Sequence, residues 1–288
     1  MNWIIAAFLM FISSFVMYLL VRYASRLHMS SAIQNVSMFV VPTLVYMVLT
    51  QLQHIDLSLN LFEWMIVIVS AIGFSYLGSK FSMESIAEAP NPGYSLIISK
   101  SYVVMTAIAS IFLFNQELTL RSAFAIGCIV VFSSFIMIDP HIKKGKSTIK
   151  RTWILLALGA FVCWGGLSLA SKYLFILGVP VLSRLVWVSS IGSGLFLWDA
   201  RHQLGHIKIF TKRQLAVLGA TGLLSASFNY FLQLGIQLAP NVGYINAINA
   251  SSISAVSVGA VILFHDDFTK RKFLGVIGVT IGLILLVI

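Results

Sequence analysis

The chain has 288 residues, of which 59% are hydrophobic and only 10% are charged. A soluble domain is typically about 45–50% apolar and about 25% charged, because charged side chains must cover its surface. The composition therefore excludes an ordinary soluble globule and indicates a chain whose main solvent is lipid.

Ten apolar stretches follow one another along the chain, and each is long enough to cross a bilayer. A spanning helix needs roughly 20 mainly apolar residues, and the solid runs lack the alternation of a membrane barrel. Helices satisfy their own backbone hydrogen bonds in lipid, so we predict an all-α integral membrane protein with ten transmembrane helices. The predicted spans lie at about 3–21, 31–50, 62–79, 93–114, 120–138, 153–171, 180–198, 213–232, 243–264 and 271–288.

Basic residues are concentrated on one side of the predicted membrane. The opposite side carries only Arg121, Lys172 and Arg184, and Lys100 lies within a span. The basic residues of the loops after the odd-numbered spans are Arg22, Arg26, Lys80, Lys143, Lys144, Lys146, Lys150, Arg151, Arg201, Lys208, Lys212, Arg213, Lys270, Arg271 and Lys272.

Such a bias in short loops marks the cytoplasmic side. We therefore predict a multi-pass protein of the inner or plasma membrane, with Lys143 to Arg151 in the cytoplasm and both termini outside. The bias also explains the net charge of +10 without a nucleic-acid partner, and none is predicted.

A six-residue motif occurs twice in the chain, with one difference between the copies. It is APNPGY at Ala89 to Tyr94 and APNVGY at Ala239 to Tyr244, 150 residues later. Pro blocks helix continuation, Asn is a favourable N-cap, and Gly permits close approach. The motif therefore predicts a turn between the third and the fourth span of each half.

The same offset aligns further identities, such as Trp3 with Trp153 and Thr119 with Thr269. We interpret the chain as a first five-helix repeat at 1–138, a basic linker at 139–152 and a second five-helix repeat at 153–288. Because five is odd, the second half is expected to enter the membrane inverted, as in many secondary transporters.

Two related segments end the fourth span of each half: LFNQELT at Leu113 to Thr119 and LFHDDFT at Leu263 to Thr269. With the two five-span halves and the final Gly-containing helix, they resemble the ten-helix EamA-type branch of the drug/metabolite transporter superfamily. The resemblance covers essentially the whole chain and implies a carrier. The chain departs from the family pattern at Asp266-Asp267, where Gly-Glu is more usual, and in orientation, because many members have cytoplasmic termini.

Polar residues within spans are the candidate substrate ligands. Lys100 lies seven residues after Gly93, about 10 Å along the helix, and a charge at a helix centre costs about 2.5–3.5 kcal/mol. A position facing a cavity would explain it; snorkelling toward the interface is the alternative. Arg184 resembles the Arg-containing start of the seventh helix in the family, and an interfacial anchor is its alternative.

The ninth span carries polar residues on one face, since Asn246, Asn249 and Ser252 are spaced by three. Asn249 is the repeat partner of Ser99, which adjoins Lys100. Hydrogen bonds between helices are the alternative role. The predicted substrate site, near the membrane midplane between the halves, comprises Lys100, Asn246, Asn249, Arg184, Ser99 and Ser252; weaker candidates are Gln34, Asn35, Asn229 and Gln233.

No acidic residue lies deep in a predicted span, so the titrating carboxylate that proton-coupled cation export needs is not expected. The chain has no phosphate-binding loop, dinucleotide fingerprint or zinc-helix motif, and we predict no cofactor and no metal. Its six His residues lie near loops, which disfavours an intramembrane enzyme. The leading hypothesis is a carrier for a small anionic or zwitterionic metabolite; a flippase for a lipid-linked head group and a non-transporting membrane subunit are the alternatives.

Gly278 and Gly282 in the last span are four residues apart, as in small-xxx-small packing. We expect them to face another helix, either within the chain or across a homodimer.

Overall fold

The computed structural model describes residues 1–89, 92–138, 152–204, 210–265 and 269–288. Within these residues the chain is all-helical, which confirms the predicted fold class, and ten helices follow in order. They are α1 (Trp3–Arg26), α2 (Ser31–Leu52), α3 (Leu61–Glu88), α4 (Pro92–Lys100 and Tyr102–Phe114), α5 (Leu120–Met137), α6 (Thr152–Ile176), α7 (Val181–Leu204), α8 (Lys212–Leu238), α9 (Val242–Phe264) and α10 (Lys270–Val287).

Nine of these helices, within the described part of the chain, are long and apolar enough to cross a membrane. The tenth, α10, begins with Lys270, Arg271 and Lys272, which lower its apolar character. Several helices continue beyond the predicted spans: α1 reaches Arg26 and α3 reaches Glu88. Long basic side chains can lie along apolar surface while the backbone ladder continues, so the end of an apolar run is not the end of a helix.

The most extensive helix contacts join the two halves. They pair α5 with α10, α1 with α8, α2 with α7, and α3 with α6, whereas the sequence neighbours α1 and α2 touch little. Exchanging the halves turns the α1–α8 pair into the α6–α3 pair and leaves the α2–α7 and α5–α10 pairs unchanged. This arrangement is consistent with two repeats related by a pseudo-two-fold axis.

Backbone conformation follows the same repeat. Asn115 (φ 53°) and His265 (φ 57°) are left-handed C-caps of α4 and α9, and His28 (φ 59°) and Gly178 (φ 92°) occupy matching positions after α1 and α6. A left-handed residue at this point lets the chain satisfy the last helical carbonyls and turn.

In the second copy of the repeated motif, the Asn and the Gly have the predicted roles. Asn241 caps α9, because its Oδ1 accepts from the Gly243 amide at 2.8 Å. A Cβ added to Gly243 would lie 2.7 Å from the Ala107 Cα, so the glycine permits close approach of α9 to α4. In the first copy, Pro90 and Asn91 lie outside the described residues, as do 139–151 and Asp266-Asp267.

Two irregularities shape the inner helices. In α3, Val69–Tyr76 is π-helical, and in α4 the helix is interrupted at Ser101, whose Oγ donates to the Ile97 carbonyl at 2.7 Å. Such a side-chain bond to the preceding turn bends helices, and π segments occur frequently at functional sites.

The glycines of α10 pack against α5 within the chain, as expected for a helix-facing pair. A Cβ on Gly278 would overlap the Phe132 ring, and one on Gly282 would lie 2.7 Å from the Ile129 Cγ1. A homodimer through α10 stays an untested prediction.

We expect Gly278→Ala to lower the unfolding temperature in detergent, because forcing the Phe132 ring aside costs about 1–3 kcal/mol. Gly127→Ala is the matched control: Gly127 lies on α5, and an added Cβ meets nothing within 4 Å. An unfolding temperature for Gly278→Ala equal to or above that of the control would contradict tight packing of α5 on α10.

Candidate functional site

A cavity of about 200 Å³ lies between the two halves. Residues of α1 to α4 line it from the first half, and residues of α6 to α9 line it from the second. Because both halves form its walls, a change in how the halves pack would change access to it.

Two charged side chains line the cavity, Lys100 and Arg184, and no carboxylate does so among the described residues. The rest of the lining is amide, hydroxyl, aromatic and aliphatic. The cavity thus has a positive character that no described lining side chain neutralises.

Arg184 lies in the first turn of α7 and is only 2% exposed. Its Nε and Nη2 are buried and have no hydrogen-bond partner among the described residues. Leaving buried guanidinium donors unpaired is unfavourable, since the group carries five donors and no acceptor. This end of the cavity is therefore suited to an anionic group.

Lys100 ends the first segment of α4, directly before the interruption at Ser101. Its side chain is half-buried in the cavity wall, within electrostatic range of Tyr18 and Tyr102. Tyr102, the first residue after the interruption, lines the cavity as Lys100 does.

The polar face of α9 meets the cavity through its two asparagines. The Asn246 Nδ2 donates to the Thr106 Oγ1 at 3.0 Å, and the Ser168 Oγ donates to the Asn246 Oδ1 at 3.3 Å. Asn246 therefore joins α9 to both α4 and α6, while Asn249 lies within hydrogen-bonding reach of the Tyr102 hydroxyl.

The two predicted serines are buried outside the cavity lining. The Ser252 Oγ donates to the Asn249 carbonyl at 2.7 Å and shares a 3.0 Å hydrogen bond with Ser14 on α1. The Ser99 Oγ donates to the Leu96 carbonyl at 3.2 Å. Of the six predicted residues, the cavity brings together Lys100, Arg184, Asn246 and Asn249.

Three of the four weaker candidates, Asn35, Asn229 and Gln233, also line the cavity. Gln34 does not: its Nε2 donates to the Met29 carbonyl at 3.0 Å and to Ser25 at 3.3 Å, which fixes the connection from α1 to α2.

Sequence reasoning missed the aromatic part of the lining. Aromatic residues are common in apolar spans, so the sequence carries no signal that distinguishes these. One of them, Tyr46, donates its hydroxyl to the Ala226 carbonyl at 2.7 Å and so joins α2 to α8. The aromatic lining residues are Tyr18, Phe39, Tyr46, Tyr102, Trp164 and Phe228.

The cavity is closed at one end. Because three successive spans separate their starts, α4 and α7 begin on opposite membrane faces. Lys100 lies about 12 Å from the start of α4, and Arg184 lies about 5 Å from the start of α7, at 1.5 Å per residue. Around Arg184 the lining is buried, as at Tyr46 and Asn246, whereas Lys100 and Asn35 are partly exposed.

Two other basic residues of the membrane helices have partners outside the cavity. The Lys172 Nζ on α6 donates to the carbonyls of Ile236 at 3.0 Å and Gln237 at 2.9 Å, which caps the end of α8. Lys80 forms a 3.0 Å ion pair with Asp199 and thereby joins α3 to α7.

Residues 151–288 match the EamA-like transporter family. No protein of curated function matches the chain. A solved structure titled only "Crystal structure of protein" is similar with a TM-score of 0.78 at 13% identity, covering 98% of this chain and 96% of the other. At this identity the likeness shows the fold alone, and that fold extends over both halves.

Proposed function

Because residues 151–288 match the EamA-like transporter family, we propose that this multi-pass membrane protein carries a small anionic or zwitterionic metabolite by alternating access. The family is one of transporters rather than enzymes. The substrate class and the mechanism rest on the cavity.

The observation that carries the proposal is the charge of the cavity lining. Lys100 and Arg184 face a confined space without a lining carboxylate among the described residues. In a low-dielectric environment their charges strongly favour an anionic solute and repel a cationic one. The amide and aromatic groups beside them supply the directional contacts of a small-molecule site.

The shape of the cavity supports alternating access. Its walls come from both halves, and it is sealed around Arg184 but partly exposed at Lys100. Rocking of one repeat against the other would reverse which end is open, as in inverted-repeat carriers. An anion would meet Lys100 first in this state and would reach Arg184 at the closed end.

The proposed orientation, in the inner or plasma membrane, puts the open end near Lys100 on the cytoplasmic side, because the basic loops flank it. A single Cys introduced at Lys146, in a variant lacking Cys128 and Cys163, should resist an impermeant maleimide in intact cells and react after permeabilisation. Labelling in intact cells would instead favour cytoplasmic termini.

The proposal is tested by flux into proteoliposomes with a panel of labelled organic anions, zwitterionic amino acids, neutral sugars and lipophilic cations. Uptake of anions or zwitterions above that of protein-free liposomes is expected, with none for the cations. Cation uptake would refute the charge argument. Movement of a fluorescent lipid head group between leaflets, without metabolite flux, would support the flippase instead.

A further inference from the structure

A second buried polar group near the sealed end of the cavity has an atom without a hydrogen-bond partner among the described residues. This atom is an acceptor, whereas the Arg184 nitrogens are donors. Gln233 on α8 lines the cavity and is 4% exposed. Its Oε1 is buried and has no hydrogen-bond partner among the described residues. A buried amide oxygen left without a donor costs about 1–3 kcal/mol.

Gln233 and Arg184 lie at similar depth. Arg184 is about 5 Å from the start of α7, and Gln233 is about 8 Å from the end of α8, at 1.5 Å per residue. These two helix ends reach the same membrane face because α7 and α8 are consecutive spans, and the two helices are in contact. Lys172 donates to the carbonyls of Ile236 and Gln237, about one turn beyond Gln233, and so anchors this end of α8.

Together, the two groups indicate which hydrogen-bonding groups a solute must carry. Arg184 offers only donors, and it matches a carboxylate through its planar fork. The Gln233 Oε1 offers only an acceptor. A simple carboxylate would satisfy the first group and leave the second unpaired, whereas a carboxylate with a neighbouring N–H or O–H would satisfy both.

We infer that the solute bears a hydrogen-bond donor next to its carboxylate, as α-amino and α-hydroxy acids do, and that Gln233 determines this specificity. The inference rests on the proposed function and narrows its substrate class. A site built to bond a substrate donor discriminates strongly against an analogue that lacks it, because its own polar group is then left unpaired.

The test compares three acids that differ only in the α-substituent: propionate, lactate and alanine. In proteoliposomes, wild-type protein should take up lactate or alanine with a kcat/KM at least about tenfold above that for propionate. Gln233→Leu should reduce this preference to below about threefold. Gln237→Leu is the matched control, since Gln237 lies on the same helix with an exposed side chain, and it should keep the preference.

A preference that survives Gln233→Leu, or a wild-type protein that does not distinguish the three acids, overturns the inference. Flux of other organic anions would in that case leave the proposed function standing, and absence of any anion flux would refute both. If Gln233→Leu is not recovered from membranes, thermal stabilisation of wild-type protein decides: larger shifts with lactate or alanine than with propionate support the inference, and equal or absent shifts overturn it.

Discussion

Arg184→Met is expected to abolish anion flux and also to raise the thermal stability of the solute-free protein. Loss of the buried partner of an anionic group costs about 3 kcal/mol or more, which corresponds to at least about a hundredfold in binding. The same guanidinium is buried, and two of its nitrogens have no hydrogen-bond partner among the described residues. Replacing buried charge by an apolar side chain of similar size often stabilises a protein by about 1–4 kcal/mol.

These opposite effects separate a functional residue from a structural one. Flux into proteoliposomes and unfolding temperature in detergent would be measured on the same preparations. Arg121→Met is the control, because Arg121 is exposed at the start of α5 on the same predicted membrane face, and neither quantity should change. A variant at Arg184 that unfolds earlier than wild type and still transports would identify Arg184 as an interfacial anchor.

Lys100→Met is expected to reduce anion flux to the protein-free background, at least about a hundredfold, while the amount of protein in the membrane stays unchanged. The ammonium would be the first charge that an anion meets in the open end of the cavity. Lys100→Arg should retain part of the flux, because it keeps the charge but changes the donor geometry.

A surface cation provides the control for Lys100. Lys212 is exposed in the first turn of α8, and Lys212→Met should transport as wild type does. If Lys100→Met matched that control across the substrate panel, Lys100 would be a snorkelling residue and the anion preference would depend on Arg184 alone.

Apolar runs and the 150-residue register were sufficient to predict ten helices. In lipid the backbone must form all of its hydrogen bonds internally, which leaves few structures other than the helix. Caps such as Asn241 also followed from local chemistry. The π segment of α3 and the interruption at Ser101 did not, since they depend on how neighbouring helices pack rather than on composition.

The candidate site was predictable where charge was conspicuous. Lys100 and Arg184 stand out in apolar sequence, and both line the cavity. Residues at helical spacing were less informative: Ser252 shares the face of Asn246 by count, yet it bonds to Ser14 on α1. Tyr46 and the other aromatic lining residues had no sequence signal, because only the tertiary arrangement distinguishes a cavity-facing ring from one that faces lipid.

The dominance of contacts between halves has a consequence for biogenesis. The ribosome delivers α1 to α5 before any of their principal partners, α6 to α10, has been synthesised. The early helices can insert individually, as the two-stage view of membrane folding describes, but they must wait in the bilayer with polar faces uncovered. These faces can therefore be covered only near the end of translation. We expect a chain truncated at the linker to be degraded rather than to form a smaller folded protein.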